Sequence, residues 1–335
     1  MATIYQVAEL AGVSPATVSR VINGASVSPA YRDRVERAAR SLGFTPNRAA
    51  RNLRLRTSDV IALVIPDVEN PFFTSLARGV EDVAQAAGFS VVLCNSDEQP
   101  DKQARYLQIA LAQNMAGIVL APAHGEIDVA AVLDRGTPLV AVDRSIPGSR
   151  TDAVVADNTA GGRVGAGLLF DAGFARVACI SGPADVETAR LRSDGWAEVF
   201  RARAPGLDPA RYLRHADYRV EGGARAVTDL LDGPDAPRPA PDAFFVANNL
   251  MAVGAYRALL ERGTPPPAVG LAAFGDLPHA SLRQVGVLVL PLPSRQLGVR
   301  AATLLLERIR GDAGAPRVVV VPNEAEPPVP PPPHP

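Results

Sequence analysis

The sequence predicts a small all-α helix-turn-helix headpiece followed by a larger α/β body, two-lobed and built on parallel sheets. Three observations predict it. Residues 3–46 carry three short helical patterns with clear start and stop signals. From Asp59 onward, apolar strand-like runs alternate with helical patterns. The charge also changes sign between the two parts: residues 1–57 hold nine arginines against Glu9, Asp33 and Glu36, a net +6, so the rest must sum to −7 within a total of −1. A basic head on a mildly acidic body points to a polyanion partner for the head alone. At 335 residues the chain is long enough for one such module plus two α/β halves of ordinary size.

In the head, Thr3 and Gln6 form a capping box ahead of a helix over Ile4–Ala11, which Gly12 stops. Ser14 caps a second helix with Pro15 at its first position, closed by Asn23-Gly24. Ser28-Pro29 repeats the start signal. Tyr31, Val35, Ala38 and Leu42 then share one face up to the stop at Gly43. Three short helices with a glycine turn between the first two make a helix-turn-helix, giving a headpiece over 1–46. Residues 47–58 read as an arginine-rich short helix or linker.

In the body, strand-like runs fall at 60–66, 89–94, 117–121, 138–142, 176–181, 243–247, 268–274 and 286–292. Helical patterns lie between most of them, at about 72–87, 100–113, 159–172, 187–203, 221–231, 249–262 and 293–310. Repeated strand–helix–strand units imply doubly wound parallel sheets with a ligand cleft at the carboxyl ends of the strands. The body is expected over 59–323, with a first lobe from about 59–159 and 292–316 and a second from about 160–290 and 317–323. Residues 324–335 form a proline-rich tail, expected to be extended because proline cannot enter a sheet interior.

Several function classes are excluded. Cys94 and Cys179 sit in separate apolar runs, too few for a disulfide framework or a metal site. No run of about 18 apolar residues occurs and no secretion signal opens the chain, so a cytoplasmic protein with no membrane partner is expected. No Gly-x-Ser-x-Gly, P-loop or His-Glu-x-x-His motif is present, and the four histidines (124, 215, 279 and 334) are scattered. Gly161-Gly162-x-x-Gly165 opens a helix without a dinucleotide fingerprint and reads as close helix packing. Asp276 and His279 lack a nearby nucleophile. No enzyme activity, cofactor or metal is expected.

The second helix of a helix-turn-helix enters the major groove. Here it is Pro15-Ala16-Thr17-Val18-Ser19-Arg20-Val21-Ile22. Val18 and Val21 face inward, while Ala16, Thr17, Ser19 and Arg20 can face DNA. Arg20 alone can make a bidentate contact to guanine, and Thr17 and Ser19 suit phosphate. In the linker, Leu53 and Leu55 stand among Arg51, Arg54 and Arg56. Leu53 suits a minor-groove wedge, and equally a contact to the headpiece or a partner chain.

These stretches resemble the lactose repressor (LacI/GalR) family of transcription regulators. In the head the resemblance rests on Thr3-Ile4 through Val7-Ala8, Ala11-Gly12-Val13-Ser14, Thr17 through Gly24, and Gly43-Phe44-Thr45-Pro46-Asn47. In the body it rests on Pro66-Asp67, Asn70-Pro71-Phe72-Phe73, Val142-Asp143-Arg144, Asp157-Asn158, Ser181-Gly182-Pro183, and Ala189-Arg190-Leu191-Arg192 with Gly195-Trp196. It runs from residue 2 to about 322. It implies a type I periplasmic-binding-protein-like sensor domain, a homodimer on a palindromic operator in double-stranded DNA, and Leu53 as the intercalating leucine. The candidate DNA-contacting set becomes Thr3, Ser14, Pro15, Ala16, Thr17, Ser19, Arg20, Asn23, Asn47, Arg48, Ala50, Leu53 and Arg54. Expected function is a regulator, repressing rather than activating, controlled by a small-molecule effector such as a sugar or sugar derivative. The different-class alternative is a solute-binding protein of a transport system.

The resemblance places Phe72, Phe73, Asp143, Arg144, Asn158, Arg192 and Asn248 around the effector. Aromatic faces suit a sugar ring, and guanidinium and amide groups suit its hydroxyls. Two acidic positions depart from the family pattern, where Asn249 and Gly275 stand instead. Their loss implies that Arg144 and Arg192 are less neutralised, favouring an acidic or phosphorylated effector. Val289-Leu290-Pro291-Leu292-Pro293 also lacks the usual polar pair, and acidic and proline residues replace the expected final strand after Val321. Both touch crossovers between the lobes, where regulatory switching would pass.

Overall fold

The computed structural model describes residues 2–22, 27–44, 58–125, 127–277 and 286–323. The chain divides into two compact units, residues 1–57 and 58–335. In the first, helices α1 (Ile4–Ala11), α2 (Pro15–Ile22) and α3 (Pro29–Ser41) close over Val7, Ala8, Ala11, Val18, Val35 and Ala38. The local signals act as read: the Gln6 amide donates to Thr3 Oγ1 at 3.4 Å, and Gln6 returns the bond to the Thr3 amide at 2.9 Å. Gly12 ends α1 at φ 60°, a left-handed value that favours glycine. Ser28 precedes Pro29 but makes no side-chain cap.

The second unit holds two parallel sheets. The first has the order β11-β5-β4-β3-β1-β2, from Val318–Val321, Asp152–Ala156, Leu139–Val142, Gly117–Leu120, Val60–Ile65 and Ser90–Asn95. The second has the order β10-β9-β8-β6-β7, from Leu288–Leu290, Gly270–Phe274, Ala243–Val246, Val177–Ser181 and Leu213–His215. Helices α4 (Pro71–Ala86) and α12 (Ser294–Ile309) cover one face of the first sheet. On its other face, Leu107 and Leu111 of α5 (Pro100–Ala112) and Val132 of α6 (Ala130–Asp134) pack against Ile118 and Leu120. Around the second sheet lie α7 (Asn158–Asp171), α8 (Glu187–Arg203), α9 (Pro209–Tyr212), α10 (Val220–Asp232) and α11 (Asn249–Glu261). Trp196, Phe200 and Tyr212 fill its core, and the Trp196 indole donates to the Val177 carbonyl at 2.9 Å.

Glycines set how closely these helices approach. A Cβ on Gly79 of α4 would run into the Arg295 carbonyl oxygen of α12, and one on Gly298 would strike Leu76 in return. Gly162 of α7 and Gly195 of α8 stand in the same reciprocal relation, against the backbone of Arg192 and Thr159. Gly161 and Gly165 seat Phe274 and Phe245. The Gly-Gly-x-x-Gly run is therefore a packing device.

The structure changes three expectations. Residues 318–321 form β11, paired in register with β5 from Val318↔Ala153 to Val321↔Ala156. They therefore belong to the first lobe's sheet, not to the second lobe expected for 317–323. Strands β5, β7 and β11 and the short helices α6 and α9 lie outside the predicted runs. The apolar run at 286–292 yields only Leu288–Leu290, because Pro291 and Pro293 cannot continue a ladder. The chain crosses between lobes from β5 to α7, and from β10 to α12. The Asn323 amide donates to the Asp157 carbonyl at 2.7 Å, tying the segment after β11 to the first of these crossings.

Candidate nucleic-acid interface and interlobe cleft

In the headpiece, α2 buries Val18 completely and Val21 in part, which turns Ala16 and Arg20 to solvent. Ser14 Oγ accepts from the Thr17 amide at 3.1 Å and lies 2.9 Å from Thr17 Oγ1, so both hydroxyls serve the helix start. Pro15 is exposed, Ser19 half-buried and Thr3 exposed in its capping box. Arg34 donates to the Gly12 carbonyl at 2.9 Å and sits 5.8 Å from the Tyr31 ring centroid. It braces the turn between α1 and α2. The exposed face of α2 thus offers one long cation, Arg20, among small side chains. Asn23, Asn47, Arg48, Ala50, Leu53 and Arg54 lie outside the described residues, as does the 324–335 tail.

In the body, a cleft partly open to solvent lies between the lobes. The first lobe contributes Asp67, Asn70, Phe72, Phe73, Glu98, Asp143 and Arg144, and Leu292 follows β10. The second contributes Thr188, Arg192, Asp217, Tyr218, Arg219, Asn248, Asn249 and Phe274. Most stand at or just after the carboxyl end of a strand, where a parallel sheet leaves backbone and helix starts open.

Seven of the nine residues expected at this site line it: Phe72, Phe73, Asp143, Arg144, Arg192, Asn248 and Asn249. Phe72 and Phe73 meet edge to face at 4.9 Å. Asn158 stands one step behind the wall, where its Oδ1 accepts from Arg192 Nε at 2.8 Å. Gly275 also sits behind it, at φ 104°, and a Cβ there would rest 3.5 Å from Asn249 Cβ.

The two lobes touch across the cleft. Arg219 donates to Asp67 Oδ2 at 2.9 Å, and Asn249 Nδ2 to Asn70 Oδ1 at 3.1 Å. The Glu187 carboxylate accepts from the Ser145 amide at 2.6 Å and from its hydroxyl at 2.7 Å. Asn70 also caps α4 through the Phe72 amide at 3.0 Å, and Asn248 caps α11 through Met251 at 3.0 Å.

The charges are more evenly matched than the loss of two acidic positions implied. Arg144 is 6 % exposed and grips Glu98 with both terminal nitrogens, at 2.7 and 3.1 Å. Burial raises the Glu98 carboxyl, yet the Arg144 hydrogen bonds and charge overcome it and leave it below the usual range. Arg144 is therefore neutralised, against expectation. Arg192 lies 4.5 Å from the Phe274 ring centroid and donates to the Ala247 carbonyl at 2.7 Å, with burial pulling its pKa down. Burial pushes Asp143 up and Tyr218 up. Both hold left-handed backbone, φ 69° and 61°, an uncommon conformation for residues with a Cβ.

Sequence reading missed Glu98, Thr188, Phe274 and the Asp217-Tyr218-Arg219 turn as site residues, and used Asp67 and Asn70 only as motif. The missing signal was positional. Polar residues within a few positions of each strand's carboxyl end would have found Asp67 and Glu98. Tyr218 follows β7, a three-residue strand with no apolar run to announce it.

A three-helix headpiece joined to a two-lobed α/β body with a polar, aromatic-walled cleft defines a DNA-binding regulator with a ligand-sensing domain. The model of the lacI family of bacterial regulatory proteins matches residues 3–47, and that of a periplasmic binding protein domain matches residues 61–284. The chain is 32 % identical to the ribose operon repressor of Escherichia coli (strain K12), covering 92 % of this chain and 93 % of the relative. A structure of the transcriptional regulator CelR in complex with cellobiose superposes with a TM-score of 0.72 at 30 % identity, over 97 % of this chain and 98 % of that one. The lac repressor dimer bound to operator and the anti-inducer ONPF gives a TM-score of 0.82 at 27 % identity, over 96 % of both chains. The chain belongs to the lacI family and is a DNA-binding transcriptional regulator. Among its described residues no helix is long and apolar enough to cross a membrane.

Proposed function

We propose that this regulator acts in the cytoplasm, without enzymatic activity, as a homodimeric repressor of a palindromic operator, released or engaged by a neutral sugar bound between its lobes. Its second helix reads the major groove through Arg20, with Thr3, Ser14, Pro15, Ala16, Thr17 and Ser19 approaching the backbone. The linker, through Leu53 with Asn23, Asn47, Arg48, Ala50 and Arg54 nearby, enters the minor groove.

The observation that carries the regulatory reading is that both lobes line one cleft and bond to each other across it, Arg219 to Asp67 and Ser145 to Glu187. A ligand held there interacts differently with each lobe arrangement, and that difference is the whole source of coupling. A sugar is favoured because aromatic faces alternate with paired donors and acceptors, and because the cleft's arginines already have protein acceptors. CelR with cellobiose and the name of the ribose operon repressor support the same class.

Selection of bound sequences from random DNA, followed by gel shift against a panel of neutral sugars, tests this. One palindrome should be enriched, and one sugar should change its affinity. Enrichment of no palindrome would remove the operator reading, and an unmoved affinity across the panel would remove the sugar.

A further inference from the structure

Among the described residues, Glu98 is the one carboxylate of the cleft that meets the terminal nitrogens of a buried guanidinium. It follows β2 in a turn where Asp97 and Glu98 both adopt left-handed backbone, φ 53° and 56°. Two such residues in succession are costly for side chains with a Cβ, so the turn persists only because its surroundings hold it. The Glu98 amide bonds to the Pro66 carbonyl at 3.2 Å, and its Oε2 accepts from the His124 amide at 3.0 Å. The strained turn thus delivers a carboxylate into the cavity from behind Arg144.

The consequence lies in what Arg144 has left. Nη1 is shared between Glu98 and the Pro122 carbonyl at 2.8 Å, and Nη2 is taken by Glu98. Among the described residues, the buried Nε has no hydrogen-bond partner. Asp143 Oδ2 lies 3.5 Å from it. A phosphate or carboxylate is recognised by the planar fork of two parallel N–H groups. Here the end-on fork of Nη1 and Nη2 is filled from within the protein. What remains is the side-on edge, Nε–H with the second Nη2–H, and the Asp143 carboxylate stands beside it. An anion there meets a second carboxylate, whereas a hydroxyl group can accept from the edge and donate to Asp143.

We infer that Glu98 is the charge-selectivity residue of the cleft: by filling the end-on fork of Arg144 and neutralising its charge, with Asp143 beside the other edge, it turns away anionic ligands, sugar phosphates included, and leaves a corner that reads a neutral hydroxyl. This rests on the neutral-sugar reading above and names the residue that enforces it. Glu98→Ala frees the fork, and with Asp143→Asn added no second carboxylate lies beside the guanidinium to refill it.

The test is calorimetric titration of the full-length chain and both variants with inorganic phosphate, with neutral hexoses and pentoses, and with their phosphate esters. Circular dichroism melts confirm folding. Wild type should take a neutral sugar and neither inorganic phosphate nor any ester. The variants should gain affinity for phosphate or an ester by about tenfold or more, the size of a charge-assisted bond regained. Glu98→Gln retains an amide oxygen that can still accept from the fork and should fall between. A folded double variant with no gain for any anion overturns the inference, as does a wild type that binds an ester as tightly as its parent sugar. If wild type binds no sugar of either kind while the double variant gains phosphate, the selectivity role stands and the neutral-sugar reading falls.

Discussion

Under the proposed reading, Arg20 and Glu98 are single side chains on which the two activities turn. Arg20 projects from α2 beside the small Ala16, so nothing on that face competes with it for a base edge. Arg20→Ala is expected to lose about 1–3 kcal/mol of discrimination at one base pair. In a bound-sequence selection the preference at that position should flatten, and an unchanged profile would remove Arg20 from base readout. Glu98 carries a pH signature. Its carboxyl lies below the ordinary 4.5, so the pair with Arg144 stabilises the fold fully above that value and loses this as pH falls through the depressed one. The melting temperatures of wild type and Glu98→Gln should therefore converge as pH drops from neutrality into the acid range below 4.5. A gap that stays constant would show that the pair adds no charge-dependent stability.

At the scale of elements, the reciprocal glycines make the sharpest prediction. Gly298→Ala places a methyl group against the Leu76 backbone of α4 and should cost about 1–3 kcal/mol, as overpacking does. Gly167 on α7 has nothing within 4 Å of a Cβ, so Gly167→Ala should instead gain about 0.5–1 kcal/mol from helix propensity. Urea titration of the two variants reads the contrast, and equal shifts would refute it. The same scale shows what the sequence made legible. Capping boxes, prolines at helix starts and apolar runs are local, and they announced α1, α2 and the central strands. Strand β7 has three residues, only one of them apolar, and β11 is a run of valines whose sheet is set by its distant partner β5. Neither property is local. The cleft divides likewise: Phe72, Arg144 and Arg192 stand in motifs, whereas Glu98 and Tyr218 reach the site through left-handed turns that no periodicity reveals.

For the whole molecule, the question is what holds the lobes in one arrangement. Glu187 sits at the start of α8 and takes both the amide and the hydroxyl of Ser145 across the cleft. Glu187→Ala should loosen closure and weaken sugar binding by about tenfold, since bonds to a charged acceptor carry about 1.5–3 kcal/mol in favourable settings. Small-angle scattering should show a larger radius of gyration in the variant at saturating sugar. Unchanged affinity and radius would mean that the other cross-lobe bonds suffice. The Arg219–Asp67 pair is partly solvated and contributes less, about 0–1 kcal/mol.

The glycine crossings also bear on how such a molecule can change over generations. Where two backbones lie in direct contact, almost any new side chain forces the layers apart, so those positions are closed to experiment. The side chains that line the cleft lie outside those crossings. There a single exchange, an acid for an amide at 249 or a carboxylate delivered at 98, alters what the cleft accepts while the layers beneath keep their spacing. Innovation is thereby steered toward the rim, and the scaffold can acquire a new chemical vocabulary without renegotiating its architecture.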